Sequence, residues 1–587
     1  MTIVVEERRT GRLMRRAAAV ARFLFWPLVG ALLATVVATA ARLLGPMAVR
    51  FGVDDGIGAG SRGVVIKAAL IYIGLLALQY VSQRIAQYAV AWVGEQYLRR
   101  LRSEVFRHLM RLDMAFFGRS KTGVLVSRMT NDIESIQEFA EEGAVSLAIN
   151  LLTLVGVSVA MLLIDVTMAL QVFVLIVVVI AISWVFQRFA GRAYREVREQ
   201  IGRVLASLQE GITGVRVVQA FTQEEQQAGA FVRVNERYFD ANMRAARAVS
   251  WYFPGVSFLR TVGIAVVLFF GGHRVLDGDL TFGTLVVMLL YLDWYFQPII
   301  NLSNTYNQLQ SAAAAFGKLF RLLDTPPAVS DASDAGVLPS PVRGEVVFEG
   351  VGFEYQAGVP VIEDADLRIR PGERVAIVGE TGAGKSTLAR LVLRFYDPVK
   401  GRVLVDGTDL RTVTAAERAR HVVLIPQEGF LFNGTLRDNL RYARPDAGDA
   451  RLWEVCRAVG IEAWAHALPE RLDTMVRERG SRFSAGERQL VALARALLAD
   501  PTVIVLDEAT SNLDPETEVR VEHALATVLE GRTAIMIAHR LRTAEGADRV
   551  VMMDQGRIVA VGSHADLAVS DPGYARLVSV WERGILR

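Results

Sequence analysis

The stretch Gly379-Glu380-Thr381-Gly382-Ala383-Gly384-Lys385-Ser386-Thr387 fits the phosphate-binding loop pattern G-x-x-x-x-G-K-[ST]. Before it, Val375 to Val378 is apolar and largely β-branched, as a buried parallel strand should be. From Leu388 the chain reads as a helix. A glycine-rich turn between strand and helix lets backbone N–H groups curl round an anion, and the helix N-terminus adds its partial positive charge. Lys385 is placed to reach β- and γ-phosphates, and the Ser386 hydroxyl to hold Mg²⁺. The cofactors this stretch implies are ATP and Mg²⁺.

The rest of the chain can be read as what that nucleotide serves. Its 587 residues suffice for two or more domains. Hydrophobic residues make up 52%, too many for an ordinary soluble protein. A net charge of +3 gives no sign of a nucleic-acid or other polyanion binder. The single cysteine, Cys456, cannot form an intrachain disulfide, so no oxidising compartment is indicated. The apolar surplus lies almost entirely before residue 310, which makes a membrane half followed by a soluble half.

Residues 1–22 are basic with interspersed apolar positions, the pattern of a short helix lying at a membrane surface. A secretory leader is the competing reading, since Ala38-Thr39-Ala40-Ala41 resembles a cleavage site; the later spans and a nucleotide loop that needs the cytosol argue against it. Six apolar runs follow, roughly 23–49, 64–89, 143–164, 166–188, 250–273 and 281–300, each near the ~20 residues that cross a bilayer. The segments between the second and third runs and between the fourth and fifth are rich in arginine. The opposite loops are short and poorer in charge, and Asp165 alone separates the third run from the fourth. The positive-inside rule therefore places both termini and the soluble half in the cytosol, in a multi-pass cytoplasmic (inner) membrane protein.

Helical patterning at both flanks of the two long loops predicts that the membrane helices continue beyond the bilayer. The tip of the first loop reads Phe116-Phe117-Gly-Arg-Ser-Lys-Thr-Gly123-Val-Leu125-Val-Ser127-Arg128, with Asp132 beyond; the second reads Gly214-Val-Arg-Val-Val218-Gln-Ala220-Phe221-Thr-Gln-Glu224-Glu225. These resemble the F-F-x₅-G-x-L-x-S-R-x₃-D and G-x₃-[VIK]-x-A-F-x-x-E-E patterns of ABC exporters. With the nucleotide motifs, the resemblance covers about residues 20–570. It implies coupling helices near 116–125 and 212–221 that dock on nucleotide-binding domains, one of them reaching the partner's. The expected organisation is an interfacial helix at 1–22, a six-span transmembrane domain at 23–325 with long cytoplasmic extensions, an exposed linker at 326–343 after Pro326-Pro327, and an α/β nucleotide-binding domain with a helical subdomain at 344–587.

In the soluble half, Val503-Ile-Val-Leu506 is a buried strand ending in Asp507 and Glu508. A strand that delivers two carboxylates to a phosphate site suggests Asp507 on Mg²⁺, mostly through water, and Glu508 as the base that activates the attacking water. The resemblance adds Tyr355 as an aromatic platform for adenine, Gln427 as a contact to Mg²⁺ or the attacking water, His539 as a γ-phosphate contact that orients Glu508, and Ser511 to Asp514 as the D-loop. It also makes Phe483-Ser484-Ala485-Gly486-Glu487-Arg488-Gln489 the signature that covers the γ-phosphate held by the other subunit. Ser484 and Gly486 match L-S-G-G-Q; Phe483, Ala485 and Glu487 depart from it. An added acid near a triphosphate is unfavourable, and the Ala485 methyl crowds the loop.

The implied function is ATP-driven export of a solute, drug-like compound or lipid by alternating access, performed by a dimer because each nucleotide lies between two chains. The intact catalytic set beside an altered signature points to a heterodimer with a second, homologous half-transporter. An ATP-gated or regulatory subunit that does not pump, and an importer of exporter layout, are the alternatives. Arg260 and Asp293 fall at nearly equal depth in the fifth and sixth spans, and are expected to pair or to face the cavity together. Asp293, Gln297, Asn301, Asn304 and Gln308 share one face of the sixth, either lining a wet substrate cavity or forming a packed polar seam.

Overall fold

The computed structural model describes residues 24–332, 335–507, 514–538 and 540–585. The basic segment 1–22, Glu508, Ser511 and His539 lie outside the described residues. The chain forms two compact units. One holds residues up to 108 together with 123–325; the other holds 109–122 together with everything from 326.

Among the described residues of the first unit, six helical stretches are long and apolar enough to cross a membrane. α1 (Phe25–Phe51) runs on through a π-helical turn, Gly52–Ile57. α2 (Arg62–Leu109) has 48 residues, roughly 70 Å at the helical rise against a ~30 Å hydrocarbon core. α3 (Met114–Arg119) belongs to the other unit. The third stretch, Thr122–Ile164, contains two π-helical turns, Arg128–Asp132 and Phe139–Gly143, before α4 (Ala144–Ile164). α5 (Val166–Thr213), the short α6 (Val215–Ala220), α7 (Glu224–Leu276) and α8 (Phe282–Leu323) complete the unit.

Its tight turns are set by single polar residues. Asp165, in extended conformation, ends α4; its carboxylate accepts from the Met168 N–H at 2.9 Å to cap α5, and from Arg274 at 2.9 Å. Asp54 accepts from the Thr281 hydroxyl and the Gly283 N–H at 2.6 and 2.7 Å, tying the end of the first stretch to the start of α8. The core is apolar and aromatic, with Tyr291, Met288 and Leu292 fully buried and Phe186 stacked on Tyr252 at 4.0 Å. Large apolar side chains such as Trp251 and Leu163 cover the outside, as lipid requires.

The loop tips differ in detail from the expected 116–125 and 212–221. The first tip helix is α3, two residues earlier, because Asp113 accepts from the Phe116 N–H at 3.0 Å and caps it there; extended Ser120 ends it. The second is α6, set off from α5 by Gly214.

The second unit holds two sheets. β1 (Val346–Gln356) lies between β2 (Val359–Ile369) and β4 (Lys400–Val405), all antiparallel, with β5 (Thr408–Asp409) at the edge. The larger sheet runs β10-β9-β3-β8-β7-β6. In it β3 (Arg374–Val378), β6 (Val422–Ile425), β7 (Val503–Asp507), β8 (Thr533–Ile537) and β9 (Arg549–Asp554) are parallel, and β10 (Arg557–Gly562) is antiparallel. Val375, Ile377, Val503 and Val505 are wholly buried, which is why these strands are apolar without alternation. α9 (Lys385–Val392) follows β3; α10 (Leu436–Arg441) and α11 (Ala485–Ala499) belong to the helical region before β7; α12 (Pro515–Leu529) precedes β8.

The linker is mostly exposed, as expected, and it is also fastened to this unit. Leu338 is buried, Gly336 pairs with Val413, the Ser330 carbonyl accepts from buried Arg394 at 3.0 Å, and Asp331 accepts from the Ala415 N–H.

Candidate functional site

The order of the large sheet brings the motifs to one edge. The glycine loop follows β3, Asp507 ends β7, and Gln427 comes two residues after β6; β8 separates β3 from β7. This is the carboxyl edge of parallel strands, where α/β sheets bind ligands. Glu508 and His539, next to β7 and β8 in sequence, are outside the described residues.

The loop is held in a shape that needs glycine. Gly379 has φ +145°, and a Cβ there would stand 2.1 Å from the Met553 carbonyl oxygen. Gly384, left-handed at φ +100°, precedes α9 and supplies no side-chain cap to its first turn. Lys385 is 5% exposed and folds across the loop, its Nζ donating to the carbonyls of Gly379 and Glu380 at 2.8 and 2.9 Å. Curled backbone, an uncapped helix start and a cation fit the polyphosphate of ATP. Ser386 and Asp507 are oxygen donors of the kind Mg²⁺ takes.

Tyr355 is half-buried at the end of β1. Its ring meets Phe353 and Tyr396 edge-on at 4.9 and 5.2 Å, and its hydroxyl bonds Thr387 at 3.1 Å and Arg390 at 3.2 Å. Arg119 of α3 donates to the Tyr355 carbonyl at 3.5 Å, so the first loop tip sits beside this tyrosine.

The altered signature is well housed. Phe483, 5% exposed, packs on the Trp464 ring at 5.0 Å. Ser484 is the N-cap of α11. Its hydroxyl accepts from the Glu487 N–H at 3.2 Å, and the Glu487 carboxylate accepts from the Ser484 N–H at 2.7 Å, a reciprocal capping box. Gly486 lies against α12, where a Cβ would stand 1.9 Å from Thr517 Cγ2. The segment around Gln427 is tied to α11 by Gln489, at the end of the signature stretch, and by Arg495, which no motif marks. Gln489 donates to the Pro426 carbonyl at 3.1 Å, and Arg495 to the carbonyls of Phe430 and Asn439 at 2.6 Å each. Burial pushes the Arg495 guanidinium down to about 10.

In the membrane unit, Arg260 and Asp293 form an ion pair at 2.5 Å, as their depths suggest. The rest of the α8 polar face divides. Gln297 bonds Asn301, which donates to Asn150 of α4 at 3.3 Å; Gln308 donates to Glu138; Asn304 is exposed. Arg260 and Asp293 do not line the cavity that Gln297 and Asn301 share with α4.

Six membrane-crossing helices joined to a P-loop sheet define an ATP-driven membrane transporter. Known proteins make this specific. The ABC transporter transmembrane region matches residues 28–299, and the ABC transporter ATPase model matches 362–511. The uncharacterized ABC transporter ATP-binding protein YknV of Bacillus subtilis is 34% identical over 93% of this chain and 90% of its own length. The multidrug efflux ATP-binding/permease protein of Mycobacterium bovis is 38% identical over 94% of this chain, which spans only 46% of that protein. A bacterial Atm1-family ABC exporter, solved with ATP bound, matches with a TM-score of 0.78 and 29% identity, over 95% of this chain and 98% of that one. The chain belongs to the ABC transporter family. It is an exporter-type, multi-pass membrane protein whose own ATPase domain hydrolyses ATP in step with transport.

Proposed function

We propose that the chain exports a solute, drug-like compound or lipid across the cytoplasmic membrane, with its ATPase unit in the cytosol. The observation that carries this reading is the seat of α3 in the ATPase unit, where Arg119 bonds the Tyr355 carbonyl and Asp113 bonds the Ala328 N–H. A loop tip of the membrane helices is thereby attached beside the nucleotide loop. In this reading Tyr355 offers its ring to adenine, and residues 379–387 hold the phosphates. Ser386 and Asp507, with Gln427, hold Mg²⁺, which neutralises charge developing on the phosphates. Glu508 takes the proton of the attacking water, and His539 orients it. Relatives named for multidrug efflux and for lipid A-core flipping, the latter 34% identical in Syntrophus aciditrophicus, support a drug-like or lipid cargo. In sealed inside-out vesicles, ATP should drive accumulation of a transported compound, and that compound should stimulate hydrolysis. Hydrolysis that no transported compound stimulates would favour a regulatory subunit, and movement in the opposite direction an importer.

The partner in this reading is a different half-transporter. Glu487 places a carboxylate at the start of α11, where another chain's γ-phosphate would arrive, so a site closed by this signature hydrolyses weakly. The Mycobacterium bovis relative, about twice as long as this chain, agrees with two halves working together. Co-purification of a second half whose own base after the Walker B aspartate is replaced supports the heterodimer. A stable, strongly active dimer of this chain alone overturns it.

A further inference from the structure

At the end of the membrane unit opposite the loop tips, Asp54 sits on the N-terminus of α8 from the π-helical turn Gly52–Ile57. Its Oδ2 accepts from the Thr281 hydroxyl at 2.6 Å and its Oδ1 from the Gly283 N–H at 2.7 Å. The carboxylate also meets the partial positive charge of the helix start. The fit is close, since a Cβ on Gly283 would stand 2.6 Å from Asp54 Oδ1. The first two spans are built to move together. Gly52 and Gly56 bring the turn against α2, where a Cβ would stand 3.0 Å from Ala68 Cβ and 2.8 Å from Val65 Cγ2. α2 buries only 6% of its most apolar stretch, so this pair of spans holds to the later helices mainly through α1 and its turn.

Each half of the Asp54 contact keeps a second partner on its own side. Arg50, one turn back on α1, lies 3.4 Å from the Asp54 carboxylate. The Thr281 hydroxyl lies 2.7 Å from that of Thr284 and accepts from the Thr284 N–H at 3.2 Å. If the two halves parted, Arg50 would still neutralise the carboxylate, Thr281 would still be bonded, and the Gly283 N–H would pass to water. Parting therefore strands no charge, which is what makes most buried ion contacts costly to break. We propose that Asp54 is an outer latch. Bonded to α8 it holds the membrane unit closed at this end, and ATP-driven opening leaves it on Arg50 while α1 and α2 move away from α8 as a pair. As the gate through which cargo leaves, the latch rests on the export reading; as a contact that opens with the nucleotide cycle, it does not.

Val287 provides the test. It is wholly buried on the α8 face between Gly283 and Tyr291, whose hydroxyl donates to the Leu43 carbonyl of α1 at 2.6 Å. In the full-length transporter in nanodiscs, with Cys456→Ala as background, alkylation of Val287→Cys by a charged maleimide reads how often α1 leaves α8. Alkylation should be slow without nucleotide and fast with ATP. Asp54→Ala removes the acceptor, and Gly283→Ala pushes it away without touching its charge. Each should raise the nucleotide-free rate at least about tenfold, the scale of lost hydrogen bonds to a charged group. The two together should add little to Asp54→Ala alone, because the methyl then has no carboxylate to displace. Gly283→Ala keeps the test valid if Asp54→Ala does not fold. A wild-type rate that ATP leaves unchanged would make the contact a permanent staple and overturn the latch, as would unchanged rates in the variants or effects that simply add. The expected dependences in a chain that moves no cargo outward would uphold the latch and overturn export instead.

Discussion

Two helices of the ATPase unit begin where a phosphate is expected, and they begin differently. α9 starts from a left-handed glycine with no side-chain cap. α11 starts from Ser484, whose hydroxyl and N–H are both engaged by Glu487. A capping residue contributes about 1 kcal/mol, and an uncapped start forgoes that stability. The difference teaches which end is built around a ligand. In the proposed reading α9 keeps its donors for a phosphate that its own chain holds, with Lys385 beside them. α11 has its Glu487 N–H capped by Ser484, which fits a phosphate that would arrive only with another chain's nucleotide.

The comparison breaks most severely if α9 does not serve the hydrolysing site. Glu508→Gln should lower steady-state hydrolysis at least ~100-fold, the scale of a lost general base, while nucleotide binding to residues 379–387 persists. Hydrolysis near the wild-type rate would remove Glu508 from that role. Gly486→Ala tests how closely α11 is fitted. The new methyl meets Thr517, and overpacking costs about 1–3 kcal/mol, read as a lower melting temperature together with a fall in ATP turnover. Adding Thr517→Ser, which removes the opposing methyl, should recover the melting temperature. If it does not, crowding against α12 is not what Gly486 avoids.

A smaller effect sharpens the contrast of charge. Glu487→Gln keeps the capping box, since glutamine serves it as well as glutamate, but removes a negative charge from the start of α11. At an effective dielectric near 20 and roughly 8 Å from a phosphate, a unit charge contributes on the order of 2 kcal/mol before screening. ATP turnover at the site this signature closes should rise about fivefold, with melting temperature unchanged. A change in stability without a change in turnover would mean that Glu487 acts only as a cap.

That box was legible in the sequence, because Ser484-x-x-Glu487 is the capping pattern itself; read as a departure from L-S-G-G-Q, it looked like a defect. The large sheet was legible because buried parallel strands are apolar runs, and the six spans because a bilayer demands length. Depth along two helices left Arg260 and Asp293 either to pair or to face the cavity together, and the structure shows the pair. Other features had no local signal. The linker docks through a backbone bridge at Gly336 and one leucine, Leu338, which composition does not reveal. Gln489 and Arg495 act on carbonyls, for which any residue offers a partner.

The smallest effect concerns a third helix start, that of α12, on which Gly486 rests. Asp514 caps it by accepting from the Thr517 N–H at 3.0 Å, and that backbone bond, with the Thr517 side chain second, holds the carboxyl below its usual value. A folded-state pKa lowered in this way stabilises the protein at every pH above the ordinary aspartate range. The contribution starts to fade as pH falls below about 4 and is gone once pH has passed through the folded value. Asp514→Asn retains a capping side chain without a proton to gain. Its melting temperature should therefore lie slightly below wild type from pH 7 to 5, with a constant gap, and the gap should close only as pH drops below about 4. Asp514 is fully exposed, so the effect is a modest shift rather than a collapse. A gap that already narrows between pH 7 and 5 would show that another group governs the stability of this helix start, in contrast to the charge-independent cap inferred for α11.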